Sequence, residues 1–160
     1  MSTREKLRLL AGYQASGEPV YEQIIAQPKL HGLYKLLHSP AVVLGLASGD
    51  IIRVADDGQH RLVVRSGNLC VQLFSPLEIH KIESFIAQRI HSLRGEIDGV
   101  LSNELVSTFP FSTGFKNIEN FFNEATHLDS DASWNYGNVY NFETGKPLNW
   151  WLPGQGPYLE

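Results

Sequence analysis

The 160-residue chain is long enough to form one domain with a sizeable core, and its 42% hydrophobic and 19% charged residues exclude a disordered chain. Its one cysteine, Cys70, excludes an internal disulfide framework, and no apolar run approaches the roughly 18 residues of a membrane span, so we expect a cytoplasmic protein without a membrane partner. The net charge of −4 argues against a general affinity for nucleic acid.

The chain begins with a predicted short helix. Ser2 lies three residues before Glu5, which is the spacing of a helix capping box. We therefore predict that residues 1–18 form a short N-terminal helix or arm that precedes the first strand.

Residues 19–66 are predicted to form a small β module. The apolar runs VYEQIIA, LYKLL, IIRV and RLVV are separated by breakers, and Asp57-Gly58 has the composition of a hairpin turn. Four or five short strands at close spacing are typical of a small barrel or a curled sheet. Because a piece of about 45 residues is rarely stable alone, we expect this β-barrel-like module to pack on the residues that follow it.

Residues 67–142 are predicted to form a ferredoxin-like module, and residues 143–160 a C-terminal hairpin and tail. The elements follow the order strand, helix, strand, strand, helix, strand, which is the ferredoxin-like βαββαβ pattern. Ser75, Pro76 and Glu78 have the spacing of a helix start. Ile86 and Ile90 lie on the apolar face of this first helix, and Phe121 and Phe122 lie on that of the second. The predicted fold class is therefore α+β.

No catalytic pattern stands out. Cys70 lies between Leu69 and Val71 in a predicted strand, which favours a buried, unreactive thiol. The histidines lack zinc-ligand spacing, and no phosphate-binding glycine loop is present, so we expect no metal and no cofactor. Glu96 and Asp98 face the same side of a predicted strand, where we expect them to be solvated rather than to act as an acid–base pair.

Three segments resemble, in this order along the chain, a known bacterial family: GLASGDIIRVADDG, RSGNLCVQLF and STFPFSTGFKNIENFF. Over roughly residues 19–142 the chain resembles the domain-of-unknown-function family 4265. The resemblance implies no established enzyme activity, and small acidic relatives look like immunity proteins that neutralise toxins of bacterial competition. We therefore expect a non-enzymatic immunity protein, or antitoxin.

The charges are distributed unevenly along the chain. Residues 95–160 contain Lys116 and Lys146 against nine acidic residues, a balance of −7, whereas residues 1–94 have a balance of +3. An acidic surface repels nucleic acid and attracts a basic protein surface. This asymmetry favours a cognate protein toxin with a basic active-site cleft as the partner.

The segment WNYGNVYNFETGKPLNWW, residues 134–151, holds all three tryptophans of the chain. Tryptophan and tyrosine are enriched where protein interfaces gain most of their binding energy, and nearby acids accelerate association with a basic partner. Whether Trp150 and Trp151 belong to the core or to an interface is left open by the sequence. The predicted partner-binding residues are Glu119, Asn123, Glu124, Asp129, Asp131, Trp134 and Tyr136.

A second hypothesis is a small-molecule-binding sensor or an enzyme that uses the groove between the two modules. Asp50, Arg53 and Arg65 are the polar anchors that the sequence offers for such a ligand. A deep pocket between the modules would favour this hypothesis, whereas a flat acidic patch would favour the immunity protein.

Overall fold

A computed structural model describes residues 3–76, 79–127 and 131–154, which form two antiparallel sheets and two α-helices. The first sheet contains five strands: β1 (Glu5–Tyr13), β2 (Pro19–Pro28), β3 (Leu33–Leu36), β4 (Ile51–Val54) and β5 (His60–Val64). The second sheet and its helices contain β6 (Asn68–Phe74), α1 (His80–Ser92), β7 (Glu96–Val100), β8 (Glu104–Pro110), α2 (Phe115–Thr126) and β9 (Ser133–Tyr136).

The predicted N-terminal helix is wrong, because the chain there forms β1. Leu7 and Leu9 are buried while Arg8 between them is exposed, which is the two-residue period of a strand. The strand pairs with β2 from Glu5 to Tyr13, with a register shift between Leu10 and Gly12, whereas an isolated helix of this length would be only marginally stable. The alternation of apolar and polar residues therefore predicts the structure of this segment, and the capping-box spacing of Ser2 and Glu5 does not.

The first sheet is open, so the predicted barrel-like closure is also wrong. Its strands follow the chain order β1-β2-β3-β4-β5, each antiparallel to the next. The turn between β4 and β5 approaches β1 through one hydrogen bond, from Leu10 N to Gly58 O at 2.8 Å. In the described residues β1 and β5 do not pair and form the two edges of the sheet. The predicted hairpin turn at Asp57-Gly58 is confirmed.

The second sheet has the strand order β7-β8-β6-β9, with all neighbours antiparallel. Both helices pack on one face, where the largest hydrophobic cluster of the described chain lies. The predicted apolar faces of the helices are confirmed: Ile86 and Ile90 of α1 are buried, as are Phe121 and Phe122 of α2. In the described ranges, α1 and α2 both fall short of the length and apolar character that a bilayer crossing requires.

The first helix begins later than the sequence predicts. The described part of α1 starts at His80 rather than at Pro76, and Ile79 takes the N-cap position. Ser75 is held at the end of β6, where its N–H donates to Asn103 O at 3.0 Å. Glu78 of the predicted capping box lies outside the described residues.

Residues 37–50, which connect β3 to β4, lie between the two sheets, and we call them the inter-sheet segment. Its backbone bonds to both sides. Glu22 of β2 accepts hydrogen bonds from the N–H groups of residues 41, 42 and 43 at 2.7–2.8 Å, and Gly45 N donates to Gly137 O at 2.8 Å beyond β9. Gln72 of β6 donates to Ala41 O at 3.0 Å. The two sheets therefore form one packed unit through this segment.

Glu104 lies at the start of β8 in this polar layer. Its side chain is buried and its Oε2 has no hydrogen-bond partner among the described residues. Burial, together with the nearby charge of Glu22, raises the pKa of Glu104 to about 7. Glu104 is therefore an acid whose ionisation opposes folding near neutral pH.

The packing of α2 generates a stability prediction. Phe122 is fully buried, and its ring meets that of Phe109 edge-on at 5.9 Å. Replacing Phe122 with alanine should lower the free energy of unfolding by about 3–5 kcal/mol, because the core cannot fill the space. The matched control is Phe85→Ala on α1, which is 60% exposed and should change stability by less than about 0.5 kcal/mol. Urea denaturation of both variants is the measurement, and equal losses would contradict this packing of α2.

A second prediction concerns pH. Because the pKa of Glu104 is raised in the folded state, the folded protein holds the proton more tightly than the unfolded chain. The stability that this proton provides is complete below pH 4.5, the ordinary value, and is lost as pH rises through about 7. Glu104→Gln should therefore gain about 2 kcal/mol relative to the wild type between pH 5 and pH 8.

The control for this prediction is Glu96→Gln, which removes an exposed carboxylate from β7. Its stability should follow the wild type across the same pH range in urea melts. A Glu104→Gln difference that stays constant from pH 5 to pH 8 would contradict a raised pKa at this residue.

Candidate functional site

The predicted partner surface is organised by α2 and β9. Phe122 of α2 and Trp134 of β9 have ring centroids 5.5 Å apart, and Trp134 meets Tyr136 edge-on at 5.1 Å. Phe115 at the start of α2 lies 5.5 Å from the Tyr136 ring. Trp134 and Tyr136 therefore face the helix, as alternation in a strand predicts, and Tyr136 is buried there.

Two hydrogen bonds tie the aromatic side chains of β9 to polar groups of α2. Tyr136 Oη donates to Glu119 Oε2 at 3.1 Å, and Trp134 Nε1 donates to Asn123 Oδ1 at 2.8 Å. Burial, and then the charge of Glu119, raise the pKa of Tyr136, so its phenol stays protonated and keeps donating. Both acceptors on α2 are thereby held in fixed positions.

These four residues line a cleft of about 320 Å³ between α2 and β9, together with Asn135 and Tyr140. Tyr140 is 43% exposed at its edge, and Trp134 is half-buried. The structure thus brings together Glu119, Asn123, Trp134 and Tyr136 of the predicted set.

The other predicted residues are placed differently. Glu124 lies toward α1, where its carboxylate accepts a hydrogen bond from Arg89 Nη2 at 3.0 Å and the bond lowers the pKa of Glu124. One of the predicted partner-binding acids, Glu124, is therefore already paired with a base of the chain. Asp131 is exposed just before β9, and Asp129 lies outside the described residues.

The C-terminal tryptophans extend the same aromatic cluster. Trp150 is buried, and its Nε1 donates to Asn138 O at 2.8 Å. Trp151 is half-buried, with its ring 5.1 Å from Phe115. Trp150 is thus a core residue, and Trp151 packs on the N-terminal end of α2.

Cys70 is placed where a nucleophile would be inaccessible. Its side chain is fully buried, and burial raises the pKa of the thiol well above its usual range. The backbone passes closely over it, since a Cβ at Gly137 would lie 2.7 Å from Cys70 Sγ. No cluster of three metal-ligating side chains occurs in the ranges that the structure describes.

Of the three anchors proposed for a ligand in the groove, two border a cleft. Asp50 is buried and accepts hydrogen bonds from Ala47 N and Ser66 N at 2.9 and 2.8 Å, which is a structural role. Arg53 donates to His31 O at 2.9 Å on the exposed side of β4 and lines a cleft of about 340 Å³ at the β4–β5 turn. Arg65 lines a different cleft, which lies beside the C-terminal hairpin.

Sequence reasoning missed a polar cluster between the sheets. Asp98 is buried rather than solvated, and its carboxylate accepts hydrogen bonds from Ser39 N at 3.1 Å and from Thr108 Oγ1. His38 Nδ1 lies 3.3 Å from the same carboxylate, at the edge of a second cleft of about 320 Å³. His38 and Asp98 are 60 positions apart in the sequence, so no local sequence motif predicts that they form a pair.

The fold is similar to that of a solved structure. A crystal structure of a hypothetical protein from Neisseria gonorrhoeae matches with a TM-score of 0.65 and 16% sequence identity. The match covers 86% of this chain and 94% of that protein. At this identity the likeness shows a shared fold.

Sequence comparisons identify the family. No curated protein matches the chain. The family described as a domain of unknown function (DUF4265) matches residues 22–134, which run from β2 to the Trp134 position in β9 and include the whole inter-sheet segment. The chain therefore belongs to the DUF4265 family.

Proposed function

We propose that this protein is an immunity protein that binds a cognate bacterial toxin and blocks its active site, without catalysing a reaction itself. The observation that carries the proposal is the α2–β9 cleft, where a carboxylate and an amide are held beside aromatic rings in the acidic part of the chain. Such a combination suits a basic protein surface, because the acid orients the partner and the rings supply contact area.

The residues of the cleft divide into two roles. Trp134 and Tyr140 offer partly exposed rings for direct contact, and Glu119 and Asn123 offer acceptor oxygens for arginine or lysine. Tyr136 is buried and acts through Glu119, whose carboxylate it holds in place.

The acids near the cleft raise the rate at which the protein associates with a basic toxin. Glu124 and Asp131 are exposed and lie between Asn123 and Trp134 in sequence, and Asp129 adds a further negative charge to this part of the chain. Long-range attraction by such charges raises association rates and is weakened by salt. They would occupy the place of an anionic substrate in the toxin's basic cleft.

We also infer that β6 to β9 with α1 and α2 form a ferredoxin-like module. The chain order βαββαβ and the sheet order β7-β8-β6-β9 support this assignment, as does the location of both helices on one face. In this arrangement β9 is an edge strand, which leaves the α2–β9 cleft open to a partner. A single reduced cysteine favours the cytoplasm, where an immunity protein meets its toxin.

The main test is a charge reversal on the proposed surface. The double variant Glu124→Lys/Asp131→Lys should associate about tenfold more slowly with the toxin at low salt, and the difference should shrink at high salt. The partner for this measurement is the purified product of the neighbouring reading frame, and stopped-flow fluorescence of the native tryptophans reports the rate.

The matched control is Glu5→Lys/Glu18→Lys, which changes the net charge equally on exposed residues of β1 and of the β1–β2 turn. It should slow association by less than about threefold. Equal slowing in both double variants would show that net charge alone governs the rate, and would contradict the assignment of the surface to α2 and β9.

A separate prediction tests the absence of thiol chemistry. Cys70→Ala should protect cells against the co-expressed toxin as well as the wild type does, because the thiol is buried and protonated. The measurement is survival of cells that express the toxin, with a thermal melt to confirm folding. Loss of protection by a variant that remains folded would overturn the non-enzymatic assignment.

A further inference from the structure

Another cleft, of about 540 Å³, lies between the first sheet and the C-terminal hairpin. One wall is formed by β5 and residues 44–46, and the other by the hairpin in which Tyr140 pairs with Pro147. A volume of this size falls within the range of small-molecule sites in proteins. The cleft shares Tyr140 with the α2–β9 cleft but is otherwise lined by different residues.

Arg65 borders this cleft and is 94% buried, since its side chain and backbone together are only 6% exposed. Among the described residues its guanidinium makes one hydrogen bond, from Nη1 to Gly45 O at 3.2 Å, and it lies 5.4 Å from the Trp150 ring centre. Its Nε is buried and has no hydrogen-bond partner in the same part of the chain. A guanidinium has five N–H donors, so most of them are unused by the described residues.

No carboxylate of the described residues lies within 4 Å of the Arg65 nitrogens. Asp50 attracts Arg65 at longer range, but its own oxygens accept hydrogen bonds from Ala47 and Ser66. Burial lowers the pKa of Arg65, which reflects the cost of holding a charge away from water. Buried charges in proteins are normally paired. Arg65 departs from this rule, because it has no close counterion among the described residues.

The rest of the cleft combines a second cation with apolar surface. Arg61 is exposed on β5 beside it, and Leu44 and Phe142 are 40% and 53% exposed at its rim. Glu143 is the acid among the lining residues. Two guanidinium groups against one carboxylate leave the cleft with a positive balance, although the chain as a whole is acidic.

We propose that this cleft is a binding site for a small aromatic or apolar molecule that carries a carboxylate or a phosphate, with Arg65 as its buried anion anchor and Phe142 as its apolar wall. The anion supplies the acceptors that Arg65 lacks, and a charge-assisted bond in a desolvated site is stronger than one in water. This site is independent of the proposed toxin surface, because it depends on Arg65 and the C-terminal hairpin rather than on the acids of α2.

The probes are phenyl phosphate, benzoate, phenol and inorganic phosphate, each titrated into the full chain and followed by NMR chemical shifts. At least one aromatic anion should bind about tenfold more tightly than phenol or inorganic phosphate, with shifts at Arg65 and Phe142. The tighter of phenyl phosphate and benzoate identifies the preferred anion. If neither aromatic anion binds more tightly than phenol and inorganic phosphate, the proposal is overturned.

Variants assign the binding to named residues. Arg65→Met should weaken the aromatic anion about tenfold or more, while Arg53→Met, at an exposed arginine outside the cleft, should leave it unchanged. Phe142→Ser changes an exposed side chain and should weaken the aromatic anion but not inorganic phosphate, even if Arg65→Met fails to fold. Glu143→Gln should tighten the aromatic anion. Unchanged affinity in Phe142→Ser and Glu143→Gln would overturn the site.

Discussion

The backbone of residues 37–50 lies between two sheets, and its N–H and C=O groups need hydrogen-bond partners there. The hydrogen bonds that they make with both sheets determine how the sheets are joined. A buried N–H without a partner is costly, so each group in this segment needs an acceptor from one sheet or the other. Glu22 supplies a carboxylate to three consecutive N–H groups from the first sheet, and Gly137 supplies a carbonyl to Gly45 from the second. Asp50 at the end of the segment accepts a hydrogen bond from Ser66 N in the connection between β5 and β6. The two sheets have no strand in common, and these hydrogen bonds join them into one unit.

This arrangement gives the second sheet two unlike faces. The helix-covered face is apolar, whereas the opposite face carries polar side chains toward the inter-sheet segment, among them Gln72, Glu104 and Asp98. On the polar face Gln72 and Asp98 make structural hydrogen bonds, whereas Glu104 Oε2 has no partner among the described residues. At the α2–β9 edge and in the hairpin beyond it, aromatic rings and charged groups reach the surface together. Both functional proposals lie there for that reason.

Local patterns in the sequence predicted most of the elements. The apolar faces of the two helices, the β4–β5 hairpin and the order of strands and helices after residue 67 all follow from periodicity and turn residues that are close together in the chain. Alternation along β9 also predicted that Trp134 and Tyr136 lie on one side of the strand. The sequence could not reveal that Arg89 pairs with Glu124, or that Asp98 meets His38, since these partners lie 35 and 60 residues apart. The first strand was misassigned because a capping spacing and a strand alternation overlap in the same ten residues.

The central claim is that α2 and β9 form the surface that meets a basic protein partner. Hydrogen exchange of the chain, alone and with the product of the neighbouring reading frame, tests it directly because amides covered by the partner exchange more slowly. The account predicts that the added protection falls on residues 115–126 and 131–140, with no change along β1 and β2. Protection confined to the first sheet, or no protection at a saturating concentration of the partner, would contradict it.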